Sequence, residues 1–355
     1  MKLRNLITIF ILFICFHTFA QQHQLYDNAY HTLSQMIEDG SKYNFKEAVF
    51  SVENAYLNGT LDTVSINKEI RTLTHLCNSV IQSRQLDYGE KDKEKVSKYA
   101  ALFSVISQVI PVVINDTLYS YKPFSYDFED VFGHEDITNL FVSKLLKTHK
   151  GNCNSLPYLY KILAEELGVS AHLALAPNHI YIKHHIQSVG WYNTELTTGI
   201  FPHDGWLMAS GYIHLDAVTN GVFMKALNNK ESIALTLVDL GQAYQRSFPD
   251  NDGSFILKCT QKAIETYPYF ANAWILQAET HKKQFERIMV QKLTANINAV
   301  LELPEAKALM DKMNEEYTHI HKMGYRAMPE NMYLDWLMSL TTEREKYENK
   351  NIHNF

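Results

Sequence analysis

The chain has 355 residues, a hydrophobic fraction of 46% and a formal net charge of −6. Its length is sufficient for two domains, and its composition is that of an ordinary globular protein. A mildly acidic chain argues against nonspecific binding to nucleic acid. The sequence has neither a phosphate-binding loop nor a dinucleotide-binding glycine pattern, so neither a cofactor nor a nucleic-acid partner is expected.

The first twenty residues have the features of a signal peptide. Lys2 and Arg4 precede an apolar run over 6–16, and a T-F-A boundary ends at Ala20. The run is shorter than the ~20 residues that a membrane span requires. We therefore expect a mature chain that begins at Gln21, has no stable membrane span, and is periplasmic or secreted.

Residues 25–83 show helical periodicity, interrupted by an Asn-Gly turn at 58–59. We expect these helices to pack onto the following domain as an N-terminal cover. Removal of the signal peptide leaves three cysteines, so at least one thiol is unpaired or pairs between chains. Two of them, Cys77 and Cys259, lie in helical patterns typical of core positions.

The third cysteine, Cys153, precedes an amphipathic helix. Apolar residues recur every three or four positions over 156–167, and Gly168 follows as a helix terminator. Three side chains are candidates to cap the helix N-terminus: Asn152, Asn154 and Ser155. Cys153 is thus expected at or just before the helix start, where the positive end of the helix dipole favours a thiolate.

Two strands follow this helix. In HIYIKHHI, alternation places His179 on the face opposite the isoleucines, and in WYNTELT it places Asn193 and Glu195 on one face. Glu195 can reach His179 on the neighbouring strand, with Asn193 as a neutral alternative. This is the order in which thiol enzymes assemble a cysteine nucleophile, a base and an orienting group, here Cys153, His179 and Glu195.

The segments GNCNSLPYLY, PNHIYIK and ELTTG resemble bacterial transglutaminase-like domains of the SirB type. These domains are relatives of the papain-like cysteine proteases and often precede tetratricopeptide-like helices. The resemblance covers about 132–212 and implies an α+β fold, with Cys153 as nucleophile and His179 as base. Glu195 stands where the family more usually has aspartate. The implied activity is that of a thiol hydrolase or acyltransferase acting on amide bonds of peptides or proteins.

Sixteen histidines raise the question of a metal site. A locally dense group consists of His184, His185, His203, Asp204, His214 and Asp216. None of the spacings typical of metal ligands, such as HExxH or CxxC, is present. No metal site is therefore expected.

After about residue 220 the pattern is entirely helical. Leu240, Gly241 and Tyr244 have the spacing of a first tetratricopeptide helix, and Ala263 and Pro268 that of a second. One and a half repeats are visible, whereas about three are normally needed for independent stability. These helices are therefore expected to lean on the central domain or on one another.

The expected organisation is a signal peptide over 1–20, a transglutaminase-like or papain-like α+β domain with helical N-terminal cover over 21–220, and an all-α helical-repeat module over 221–355. Its expected partner is a peptide or protein, either as substrate or as ligand. The alternative to an enzyme is a noncatalytic scaffold or regulator that binds a protein or cell-surface peptide through the repeats.

Overall fold

The computed structural model describes residues 21–339 and residue 342. It is a mixed α+β structure in which helices predominate and the strands form small sheets, so the predicted class is confirmed at this level. The expected signal peptide lies outside the described residues. Among the helices of the described ranges, none is both long and apolar enough to cross a membrane.

The described helices are α1 (21–38), α2 (Phe45–Tyr56), α3 (Thr63–Ser83), α4 (Lys93–Ser107), α5 (Val142–Thr148), α6 (Ser155–Glu166), α7 (Asp204–Met208), α8 (Leu215–Thr219), α9 (Asn229–Ser247), α10 (Ser254–Thr266), α11 (Ala271–Gln291), α12 (Ile297–Leu301), α13 (Pro304–Lys322) and α14 (330–339). Short 3-10 turns occur at Gly40–Lys42 and Ile137–Leu140.

The strands are β1 (Ile110–Ile114), β2 (Thr117–Tyr121), β3 (Ser125–Tyr126), β4 (Lys150–Gly151), β5 (His172–Ala176), β6 (His179–Ile186) and β7 (Gly190–Thr194). They pair as an antiparallel β1–β2 hairpin, a short parallel β3–β4 pair and an antiparallel sheet in the order β5–β6–β7.

The chain forms two compact units. Of the described residues, one unit contains 21–61 together with 229–318, and the other contains 62–228 together with those from His319 onward. This grouping differs from the expected boundaries at both ends of the chain. Helices α1 and α2 belong with the C-terminal helices, and α14 belongs with the domain that carries Cys153.

The first unit is helical because each of its amphipathic helices buries its apolar face against a neighbour. Helix α2 packs on α9, which packs on α10, and α10 packs on α11. Tyr26 of α1 is fully buried, and its hydroxyl lies 2.7 Å from Ser247 Oγ. Glycine at 241 allows close approach, since a Cβ there would lie 3.3 Å from Leu276 and 3.6 Å from the buried Cys259.

The second unit is built around α6 and the β5–β6–β7 sheet. Helices α3, α4 and α5 all pack against α6, whose side chains at Leu159, Tyr160 and Leu163 are fully buried. Both faces of the central strand β6 are covered, because Tyr181 and Ile182 point to opposite faces and neither is exposed. Strand β6 therefore holds its side chains from Tyr181 to His184 away from solvent on both faces.

The chain reaches α14 through a turn at Gly324, which has a φ of +89°. A Cβ at this position would lie 2.6 Å from the backbone nitrogen of Ala217. Neither the left-handed backbone nor the close approach tolerates a side chain. Glycine is thus needed where the C-terminal segment enters the second unit.

We expect Gly324→Ala to lower the free energy of unfolding by about 1–3 kcal/mol, because it adds backbone strain and a clash with main chain. Urea denaturation with a far-ultraviolet signal measures the change. Gly89→Ala is the matched control, since a Cβ there meets no atom within 4 Å. Equal stability of the two variants would show that the turn at 324 is not constrained.

Candidate active site

Cys153 lies two residues before the first residue of α6. The side-chain oxygen of Asn152 accepts hydrogen bonds from the amides of Asn154 and Ser155, at 2.9 and 3.1 Å. Of the three candidate caps, Asn152 therefore supplies the bonds that hold the turn before the helix. As a whole residue Cys153 is partly exposed, and its Sγ lies 3.5 Å from the carbonyl oxygen of Asn178.

His179 is the first residue of β6, and Glu195 directly follows β7. The register pairs Lys183 with Asn193, which places His179 and Glu195 on one face of the sheet, as the alternation predicts. His179 Nε2 lies 3.2 Å from Glu195 Oε1, and the two side chains are 0% and 1% exposed. The approach is oblique, so the contact is an ion pair rather than an aligned hydrogen bond.

Glu195 is held by the turn that follows it. Its Oε1 accepts a hydrogen bond from the amide of Thr197 at 2.8 Å. Its Oε2 accepts bonds from the amide and the hydroxyl of Thr198, both at 2.9 Å. These bonds satisfy a buried carboxylate that would otherwise be costly, and they fix it facing the imidazole.

The alternative orienting residue, Asn193, faces other partners. Its Nδ2 donates to the carbonyl oxygen of Pro202 at 2.9 Å and to Asp204 Oδ1 at 2.7 Å. The structure thus brings His179 and Glu195 into contact, places the Cys153 thiol beside the carbonyl of Asn178, the residue before His179, and directs Asn193 elsewhere.

Charge interactions within the site outweigh the effect of burial on its three titratable groups. Burial alone would lower the pKa of His179, but its interactions with Cys153 and Glu195 and their negative charges raise that pKa to about 9. Burial alone would raise the pKa of Cys153 and of Glu195, yet His179 lowers both. These directions favour a thiolate paired with an imidazolium over a neutral thiol beside a neutral imidazole.

Two tyrosines that the sequence analysis did not identify complete the site. The hydroxyl of Tyr333, on α14, lies 3.0 Å from His179 Nδ1, and the hydroxyl of Tyr126, on β3, lies 3.5 Å from that of Tyr333. The ring of Trp336 stands edge-on to the imidazole with centroids 5.2 Å apart. Tyr333 is 154 residues from His179 in the sequence, and no local motif marks it.

Helix α14 and the segment before it are anchored over the site. Asn178 Nδ2 donates to the carbonyl oxygen of Met328 at 2.8 Å, and the Tyr212 hydroxyl lies 2.8 Å from the sulfur of Met332. Leu337 is fully buried in a cluster with Val131, Met328 and Tyr333, against which Cys153 packs. The C-terminal helix is thus one wall of the thiol site.

The residues of the histidine-rich group have separate environments. His184 is buried, stacks on Tyr99 with centroids 3.9 Å apart and lies 3.0 Å from the Tyr160 hydroxyl. Asp204 Oδ1 pairs with Lys183 at 3.4 Å. Within residues 21–339, no three His, Cys, Asp or Glu side chains come together as a metal ion would require.

No protein family and no curated protein matches this chain. One solved structure that is similar to it is a crystal structure of menin that reveals the binding site for Mixed Lineage Leukemia (MLL) protein. The two chains are 10% identical, the alignment covers 92% of this chain and 91% of the menin chain, and the TM-score is 0.33. At that score the likeness supports no conclusion about fold or function.

We expect iodoacetamide to label Cys153 in the native protein at pH 7 more than about tenfold faster than the other two thiols. Burial raises the pKa of Cys77 to about 12 and also raises that of Cys259, and neither side chain is exposed. Peptide mapping of the alkylated protein over time measures all three rates. Comparable alkylation rates at the three cysteines would contradict the assignment of Cys153 as a thiol with a lowered pKa.

Proposed function

We propose that the protein is a transglutaminase-like thiol hydrolase or acyltransferase that acts on amide bonds of peptides or proteins through Cys153. The observation that carries this proposal is the buried imidazole of His179, which interacts with Cys153 while its Nε2 faces Glu195 at 3.2 Å. A nucleophile, a base and an orienting carboxylate in contact form the arrangement that covalent catalysis requires. In this proposal Glu195 takes the orienting role.

The proposed reaction has two steps. The Cys153 thiolate attacks the carbonyl carbon of the amide, and the His179 imidazolium gives its proton to the departing amine, which leaves a thioester on Cys153. Water or a second amine then attacks the thioester. His179 takes a proton from that attacking group, and the thiolate leaves. Glu195 stabilises the imidazolium and keeps it oriented.

The tetrahedral intermediate needs a donor for its oxyanion. The amides of Asn154 and Ser155 donate to Asn152, and the Asn152 amide donates to Ser155 Oγ at 3.1 Å. Among the helix-start amides, that of Cys153 has no acceptor within the described part of the chain. We assign this amide to the oxyanion, since a donor held beside the nucleophile is preorganised for the developing charge.

An activated ester such as p-nitrophenyl acetate tests the nucleophile without knowledge of the natural substrate. We expect a burst of about one equivalent of nitrophenolate per protein and an acetyl group on Cys153 in the intact mass. Cys153→Ala should abolish both signals. His179→Gln should slow acylation by about 10²-fold or more, because the paired imidazolium is lost.

His185→Gln is the matched control, since this residue lies on the same strand but is exposed. Its acylation rate should equal that of the parent protein. If the parent protein shows no burst and no acetyl group on Cys153, the catalytic proposal fails. The noncatalytic scaffold that binds a protein or peptide then becomes the better description.

We also propose that the protein acts in the periplasm or as a secreted protein. The support is the charged start, the short apolar run and the T-F-A boundary of residues 1–20. N-terminal sequencing of the protein purified from its natural source should give Gln21 as the first residue. Recovery of an intact Met1 would contradict the proposal.

A further inference from the structure

The hydroxyl of Tyr333 lies against the imidazole of His179. It is 3.0 Å from His179 Nδ1, the ring nitrogen opposite the one that faces Glu195. Cys153 packs against the cluster that contains Tyr333. The Tyr333 side chain is fully buried, so its hydroxyl is held in this position rather than sampling solvent.

The protonation states of the neighbouring groups fix the direction of the hydrogen bonds. When His179 carries a proton on Nδ1, that N–H donates and the Tyr333 oxygen accepts. The Tyr333 proton is then free to be donated to another acceptor. The anionic group that Tyr333 acts on is the Cys153 thiolate. Burial raises the pKa of this thiol, whereas His179 first, and then Tyr333 and Tyr126, lower it.

Both tyrosines remain protonated and therefore remain donors. Burial first, and then the charge of Cys153, raises the pKa of Tyr126 and of Tyr333. Besides the thiol, the titratable groups of the site are these two tyrosines and His179, which act on the thiol, and Glu195, which acts on His179 and Tyr126. Of these, only His179 and the thiol itself change charge in the pH range in which the ion pair forms.

We propose that Tyr333 is a positioning residue of the thiol site, whose hydroxyl accepts a hydrogen bond from His179 Nδ1 and donates one to the Cys153 thiolate. The inference rests on the proposed function and deepens it. The hydroxyl bridges the ion pair and keeps the imidazolium of His179 and the thiolate of Cys153 at a fixed separation. Helix α14 is thereby an integral part of the site, which is completed only when the C-terminal segment is in place.

The anchoring of α14 supports this role. The bond from Asn178 Nδ2 to the Met328 carbonyl ties the C-terminal segment to the same residue whose own carbonyl lies beside the thiol. Trp336 stands edge-on to His179 and limits the motion of its ring. A hydroxyl delivered by a helix fixed in this way keeps the geometry that a bridging hydrogen bond needs.

Tyr333→Phe in the full chain removes the hydroxyl and keeps the ring. We expect the pH profile of Cys153 alkylation by iodoacetamide to move upward by about one unit, so that labelling near pH 6 slows about tenfold. Labelling above pH 10 should be unchanged, because the thiol is ionised in both proteins. Tyr99→Phe is the matched control, since its hydroxyl donates to the carbonyl oxygen of Ser170 at 2.8 Å and not to a group of the ion pair or of α14. Its profile should overlay that of the parent protein.

Replacement of Tyr333 by 3,5-difluorotyrosine provides a second test that preserves the shape of the site. The more acidic hydroxyl is a stronger donor, so the profile should move to lower pH, opposite to the shift in Tyr333→Phe. The pH profile of the difluorotyrosine variant can be measured even if Tyr333→Phe proves unstable.

A Tyr333→Phe or difluorotyrosine profile identical to that of a parent protein with a primed thiolate would overturn the bridging role and leave the proposed function intact. If Tyr333→Phe were labelled faster than the parent protein by the same factor at every pH, the bridging role would also be overturned, because Tyr333 would then only restrict access of the reagent to the thiol. A parent profile like that of a free thiol would instead overturn the proposed function itself.

Discussion

The site depends on one constraint, which is that an imidazolium must be stable without contact with solvent. An unpaired buried charge costs several kcal/mol, so His179 can stay protonated only if counter-charges surround it. Glu195 provides one at 3.2 Å and the thiolate of Cys153 provides the other. The capping bonds of Asn152, the Thr197 and Thr198 bonds to Glu195 and the packing of α14 all keep these groups in place.

The sequence predicts those elements of the site that depend on the spacing of residues close together in the chain. The leucine spacing after Cys153 and the candidate caps predict a helix start, and α6 begins at Ser155. Strand alternation places His179 and Glu195 on one face, and the β6–β7 register agrees. The alternation did not reveal that this face is buried, because covering elements come from distant parts of the chain. Strand alternation also did not decide whether Asn193 or Glu195 orients His179. The hydrogen bonds of the Asn193 amide to Pro202 and Asp204 direct it away from the imidazole.

Long-range packing accounts for what the sequence did not predict. Helices α1 and α2 were expected on the thiol domain, but Tyr26 packs edge-on against Tyr244 and α2 packs on α9. The amphipathic pattern of a helix indicates that one face is buried, but it does not identify the element that covers this face. For the same reason the sequence did not predict a role for Tyr333. Nothing in the sequence around this tyrosine indicates that its hydroxyl contacts a histidine 154 residues earlier. Helices α1 and α2 thus add buried surface to the helices of the first unit.

The protonation state of His179 tests the central claim most directly. Nitrogen-15 chemical shifts of the ring, followed by NMR from pH 5 to pH 11, report both ring nitrogens of this residue. A raised pKa means that the imidazolium persists through neutral pH and loses its proton at about pH 9, and Cys153→Ala should lower that midpoint. A neutral ring throughout, or a midpoint at or below the ordinary value near 6.5, would contradict the buried ion pair on which this description of the site rests.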